Sequence, residues 1–164
     1  VRLESSGNDL VIKHYSVDDI VKKSVRKFSP QFIGKKLSLD YKELDTDVLT
    51  DEKWLSFIIE QLLSNAIKYT AKGSVSIYMK PDTDRKILCI ADTGIGIDPA
   101  DLPRIFDNGY TGLNGRYDMK ASGIGLYLCR CIADMLGITL TAVSELGKGS
   151  VFMLDLTESK IRHE

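Results

Sequence analysis

The sequence carries almost no excess charge: 22 lysines and arginines face 23 aspartates and glutamates across 164 residues, a formal net charge of -1 at pH 7. That removes the basic footprint on which nucleic-acid binding rests, so no nucleic-acid partner is expected. Also missing is any run near the roughly 18 apolar residues of a membrane span, and VRLESSGNDL has no signal-peptide pattern, so the chain reads as soluble. Cysteine is scarce and odd in number, with Cys89, Cys129 and Cys131. Their apolar surroundings fit reduced, buried thiols of the cytoplasm and not a disulfide framework. Cys129 and Cys131 stand two apart on an expected helix and point to different faces, which speaks against a metal site. Histidine is limited to His14 and His163. No repeat or low-complexity segment occurs, and 43% hydrophobic residues suffice for one globular domain. The chain begins without methionine and in mid-pattern, as a piece of a longer protein would.

What is present alternates between strand and helix periods. VIKHYS reads as a short strand, after which Ser16 caps a helix with Val17, Ile20, Val21, Val25 and Phe28 at helical spacing. KLSLDY is a strand. Asp51 opens a long helix through WLSFIIEQLLSNAIKYT that ends at Lys72-Gly73. SVSIYM and KILCIA, separated by PDTDR, form a hairpin. A short helix near Asp98 to Phe106, a polar connection to Ser122, a helix from about Ile124 to Met135 and two closing strands, TLTAVS and SVFMLDL, follow. The expected fold class is α/β, a two-layer sandwich of a mixed sheet with helices on one face.

Within this frame DTGIGI, Asp92 to Ile97, ends a strand with a carboxylate and two glycines, a pattern that lets something approach the backbone closely. On the long helix Gln61, Asn65 and Lys68 fall within about 60° of one another beside the apolar stripe. Such a cluster is either a solvated boundary or a site: amide oxygens are neutral hard ligands for Mg2+, and the lysine one turn on can reach a phosphate. Tyr69 could offer its ring to a base. Gly123 and Gly125 open a helix, which either serves packing or presents N–H groups to an anion. ELGKGSVF is a glycine turn into a strand.

Taken in order, Asn-x-x-Lys-Tyr on a helix, D-x-G-x-G after a strand, G-x-G-L opening a helix and G-x-G-S resemble the GHKL (Bergerat) ATP-binding fold. The resemblance is specifically to the catalytic domain of bacterial sensor histidine kinases and runs from about Ser16 to Leu156. SNAIKYT matches the family's N box, DTGIGI, SGIGL and GKGS its three glycine boxes, and RIFD its phenylalanine box. The resemblance implies ATP and Mg2+ as cofactors and transfer of the γ-phosphate to a histidine. Asp92 would accept the adenine amino group, with Gly94, Gly96 and Ile97 lining the base pocket and Tyr69 packing beside it. Asn65 and Gln61 would ligate Mg2+, and Lys68 would approach phosphate, which makes Asn65 and Lys68 the catalytic pair. Gly123, Ile124, Gly125 and Leu126 would cradle the phosphates, and Ser150 completes the nucleotide contacts. Phe106 would anchor a lid running to Ser122, in which Arg116 either touches the triphosphate or is solvated.

The NGYTGLNGR stretch is similar to the short kinases of the bacitracin-sensing type, which work beside peptide-exporting ABC transporters. Residues 1–15 then correspond to the end of a dimerisation hairpin with a linker and first strand, 16–157 to the catalytic domain and 158–164 to a tail. The implied partners are the protein's own phosphoacceptor domain and a response regulator. An isolated domain would be a monomer in the cytoplasm, its parent a homodimer in the bacterial membrane. Two departures matter. Gln61 replaces the usual second Asn, and where ATP-hydrolysing relatives carry a Glu it cannot act as a general base, so hydrolysis should be poor. Ala121 replaces the first glycine of the second glycine box. Neither His14 nor His163 sits in the family's phosphoacceptor pattern. The alternatives are a GHKL ATPase or serine kinase, which would want a carboxylate in place of Gln61, and a non-catalytic nucleotide-binding module, which would have lost Asp92 or the glycines.

Overall fold

Both helix starts expected from the sequence are built as side-chain caps. The computed structural model describes residues 10–110 and 124–158. In chain order it contains β1 (Lys13–Ser16), α1 (Val17–Lys35), β2 (Ser38–Tyr41), β3 (Asp47–Thr50), α2 (Glu52–Lys68), β4 (Ser74–Met79), β5 (Ile87–Asp92), α3 (Ile124–Leu136), β6 (Thr139–Glu145) and β7 (Gly149–Asp155). The Asp19 N–H donates to Ser16 Oγ at 3.2 Å to close the first turn of α1, and the Trp54 N–H donates to Asp51 Oδ1 at 3.2 Å to close that of α2. Buried Asp51 also accepts the Val11 N–H at 2.8 Å, which ties the chain ahead of β1 to the start of α2.

The main sheet has five strands in the order β2-β4-β5-β7-β6, with β2 parallel to β4 and the other neighbours antiparallel. Residues directly opposite in neighbouring strands share a face. On the face covered by the helices, one row reads Met79, Leu88, Leu154, Leu140 and the next Ile77, Ile90, Phe152, Ala142. Against them pack the α2 stripe of Leu55, Ile58, Ile59, Leu62 and Ala66 and, from α3, Cys129, Ile132, Ala133 and Leu136. At about 25 cal/mol per Å² of apolar area removed from water, this contact is the main favourable term of the fold. Of the cysteines, Cys89 and Cys129 are buried and Cys131 half-buried, all three unbridged, and burial pushes the Cys129 thiol up to about 12.

Two expectations, on the end of α2 and on the stretch near Asp98, need correction, and two features were not anticipated. Helix α1 runs through the exposed Pro30 to Lys35, with the Ser29 hydroxyl donating to the Val25 carbonyl at 3.1 Å. Helix α2 stops at Lys68 and not at Lys72-Gly73, with the Lys35 ammonium on its terminal carbonyls, 2.5 Å from Ile67 O and 3.4 Å from Lys68 O. The stretch near Asp98 to Phe106 folds only as a 3-10 turn, Leu102–Arg104, since Pro103 has no N–H to continue an α-helix. DVLT forms β3, which pairs with β1 in a separate two-stranded sheet. No helix among the described residues is long and apolar enough to cross a membrane.

One carboxylate joins α1 to β2 and the loop beyond it. Asp18 accepts from the Tyr41 hydroxyl at 2.5 Å and the Leu44 N–H at 3.1 Å, and pairs with Lys22 at 2.7 Å. Burial alone would raise its pKa, but the bonds from Lys22, Tyr41 and Leu44 outweigh it and hold the carboxyl below its ordinary value. A folded-state pKa below the unfolded one gives stability that is present above the unfolded pKa and lost as pH falls through the folded one. Asp18→Ala, by orphaning buried donors, should cost about 1–3 kcal/mol at pH 7, or about 2–4 °C in Tm per kcal/mol for a chain of this size. Thermal melts should show the deficit narrowing in acid. A deficit independent of pH would contradict this role.

Candidate functional site

The third row on the helix-covered face departs from the two apolar ones. It reads Val75, Asp92, Ser150, Ser144, so the inner face of the sheet ends in a carboxylate and two hydroxyls beside a buried valine. Asp92 Oδ1 accepts the Gly94 N–H at 2.9 Å, and the Ser150 main-chain N–H also donates to this carboxylate. Burial raises its pKa, and these two backbone donors pull it back only in part. Two donors do not saturate a carboxylate, which keeps lone pairs for a further partner.

The loop after Asp92 is clamped between two other elements. The Ile95 N–H donates to the Tyr69 carbonyl at 3.1 Å, which lays the loop across the end of α2, and Ile95 O accepts the Gly147 N–H at 2.7 Å from the β6–β7 turn. A Cβ on Gly94 would stand 2.2 Å from Tyr69 O and 2.8 Å from Thr70 Oγ1. One on Gly96, at φ +74°, would stand 2.3 Å from Glu145 O. The space these glycines leave is therefore filled by the protein's own backbone, and they fix the path of the loop beneath the carboxylate. Ile97 continues the clamp, half-buried against the core, with its N–H donating to Ser144 Oγ at 2.8 Å.

Helix α2 brings the other candidates alongside. Gln61 and Asn65 are half-buried on its edge. Gln61 Oε1 lies 2.8 Å from where a Cβ on Gly125 would sit, so the start of α3 closes on that amide. Lys68 is exposed, its ammonium 5.5 Å from the centroid of the Tyr69 ring. Leu126 packs its side chain against the core. Phe106 meets Phe152 edge-on at 6.2 Å and lies under the Arg130 guanidinium at 4.2 Å, while Arg130 Nη2 donates to Leu140 O at 2.8 Å. Arg116, Ala121, Gly123 and the side chain of Ile124 lie outside the described residues, as does most of the expected lid. Among the described residues no three His, Cys, Asp or Glu side chains gather to hold a metal, so a cation here would depend on amide oxygens and ligand atoms.

Three contributors were not apparent from the motifs. Lys35 on α1 caps the carbonyls at the end of α2. Thr70 Oγ1 is buried beside Gly94 with no protein partner, and Ser144 stands directly across from Ser150. Pairing TLTAVS against SVFMLDL about the glycine turn would have exposed Ser144.

This arrangement belongs to a known class. Residues 50–160 match the family described as histidine kinase-, DNA gyrase B-, and HSP90-like ATPase, and the chain belongs to that family. It is similar to the sensor protein BceS of Halalkalibacterium halodurans, 37% identical over 153 residues, covering 93% of this chain and 46% of that protein. Against the sensor protein kinase GraS of Staphylococcus aureus strain MRSA252 it is 37% identical over 155 residues, covering 93% and 44%. The chain thus spans less than half the length of these curated relatives. Among solved structures, the nucleotide-free catalytic domain of histidine kinase ThkA superposes with a TM-score of 0.77 at 18% identity, over 90% of this chain and 96% of that one. Full-length ShkA in complex with AMPPNP gives 0.74 at 23%, over 92% and 32%. These two establish a shared fold.

The two kinds of glycine in this protein separate cleanly. Gly34, in the last turn of α1, has nothing within 4 Å of an added Cβ, so Gly34→Ala should stabilise by about 0.5–1 kcal/mol through helix propensity. Gly94→Ala must push the loop off the Tyr69 carbonyl and should destabilise by about 1–3 kcal/mol. Denaturant melts of the two variants should move in opposite directions, and equal shifts would refute the clamp.

Proposed function

We propose that this domain binds Mg-ATP and, within its parent protein, transfers the γ-phosphate to a histidine on a separate dimerisation domain. The observation that carries the reading is Asp92, a carboxylate with acceptor capacity to spare, sunk at the polar end of an apolar sheet face and flanked by the amide edge of α2. Asp92 accepts the adenine amino group while Ile97 and Ser150 border the base and Tyr69 lies beside it. Gln61 and Asn65 offer the amide oxygens that would hold Mg2+, whose charge neutralises the triphosphate. Lys68 adds a point charge, and the start of α3 at Gly125 and Leu126 is the part of the described chain that would meet the phosphates. Phosphoryl transfer asks chiefly for positioning and charge stabilisation, which this set of residues can supply.

Hydrolysis of ATP is the weaker reading. Gln61 cannot accept a proton as a general base, and the adjacent carboxylate, Glu60, is turned to α1 and paired with Lys27 at 2.8 Å. His14 is exposed on β1, in an extended strand and not on a helix, and is not the phosphate acceptor. On the kinase reading the parent is a membrane-anchored homodimer that passes its phosphoryl group to a response regulator and works beside a peptide-exporting ABC transporter, and the similarity to the sensor proteins BceS and GraS supports its being a sensor kinase. Residues 16–157 are the catalytic domain on this reading.

Calorimetric titration should show ATP binding at least tenfold more tightly than GTP. The guanine carbonyl would leave the Asp92 carboxylate unpaired, a penalty of about 1–3 kcal/mol or more for a charged group. Asp92→Asn should abolish that preference, and equal affinities in the unmodified domain would refute the assignment. With radiolabelled ATP, label should pass to the parent's helical hairpin supplied as a separate chain, slowly because the tether's effective concentration is lost. Asn65→Ala should abolish the transfer and His14→Gln leave it unchanged. Label on the domain alone that vanishes with His14→Gln would overturn the reading.

A further inference from the structure

Ser144 belongs to none of the motifs, yet its hydroxyl has three partners. Ser144 Oγ lies 2.8 Å from the Ile97 nitrogen, 2.9 Å from the Gly149 carbonyl oxygen and 2.8 Å from Ser150 Oγ. A hydroxyl has one proton to give and two lone pairs with which to accept. The Ile97 N–H can only donate, and the Gly149 carbonyl can only accept. With the Ser144 proton on that carbonyl, the contact with Ser150 is a hydrogen bond only if Ser150 gives up its own proton to Ser144. All four groups are then satisfied, whereas the opposite polarity takes the Ser144 proton away from the Gly149 carbonyl. Ser150 Oγ is thereby left with lone pairs alone.

Ser150 is the direct cross-strand neighbour of Asp92 and shares its face of the sheet. Its N–H, the one donor it could still offer there, is already given to the Asp92 carboxylate. We infer that Ser144 is a positioning residue that fixes Ser150 as an acceptor beside Asp92, so that these two neighbouring strand positions both present acceptors and select a base with an exocyclic amine. The inference rests on reading the site as a nucleotide pocket with Asp92 at the base. A 6-oxo purine meets two acceptors here. Removing the Ser144 hydroxyl frees the Ser150 proton to turn toward that carbonyl, so rejection of the 6-oxo base should relax.

The test is calorimetric titration of ATP and inosine triphosphate, which differ in the base only by the amine and carbonyl at the 6-position with its ring proton. The unmodified domain should prefer ATP. Ser144→Ala should lower the ATP-to-ITP ratio at least fivefold, and Ser144→Thr, which restores the hydroxyl in a strand-compatible residue, should keep it within twofold of the original. Ser150→Ala should lower the ratio too, with no further loss in the double variant, because both changes act through one hydroxyl. If Ser144→Ala fails to fold, Ser150→Ala leaves the Ile97 bond in place and must lower the ratio by itself. An equal weakening of both nucleotides in Ser144→Ala, or losses that add in the double variant, overturns the inference and makes Ser144 a support for the Ile97 backbone only. An unmodified domain without preference for ATP defeats the Asp92 reading itself, a separate result.

Discussion

A half-buried carboxylate at the end of an apolar sheet face, Asp92, is the constraint around which this domain is arranged. Burying a charge is unfavourable unless hydrogen bonds compensate it, and Asp92 receives two, from the Gly94 and Ser150 main chains. Both donors exist only because the neighbouring backbone is held against β5. The Gly94 loop is pinned by the Tyr69 carbonyl, and Ser150 is placed by strand pairing. Filling the space at Gly94 would therefore disturb the end of α2 and the carboxylate together. A nucleotide that supplies the missing donor would complete a site the fold leaves short.

Asp18, buried, and Asp92, half-buried, show how environment divides two carboxylates between structure and chemistry. Asp18 receives Lys22, Tyr41 and Leu44, which together outweigh its burial and hold its pKa below the ordinary value. Asp92 has no cation beside it among the described residues, and burial prevails. A carboxylate satisfied within the protein stabilises the fold, whereas one left in need of a donor is ready to bind. Helix α2 serves both ends of this division. Its apolar stripe fills the core, while its amide edge and the turn at Tyr69 border the site, with Lys35 holding its terminal carbonyls.

Legibility in the sequence followed the range of the interactions. The caps at Ser16 and Asp51 and the apolar stripe of α2 are local patterns and were plain. So was the β4–β5 hairpin, whose turn residues lie within the chain segment that forms it. β3 was not, since four residues leave no period to read and the strand exists only because β1 pairs with it. The end of α2 was overrun because what stops it, the Lys35 ammonium, comes from 32 positions away. At the site, ordered motifs identified the family, and Asp92 stood out beside its glycines. What those glycines accommodate, the Tyr69 and Glu145 carbonyls, could be seen only once three elements were brought together. Ser144 likewise gains its meaning from strands paired across a turn.

The measurement closest to the central claim is the titration of the Asp92 carboxyl, followed by carbon-13 NMR with and without saturating ATP. In the free domain it should titrate above the value of an exposed aspartate, because burial disfavours its charge. On binding, the new hydrogen bond from the adenine amine should favour the ionised form and draw the pKa down. An ordinary pKa in the free domain that does not respond to ATP would contradict the account.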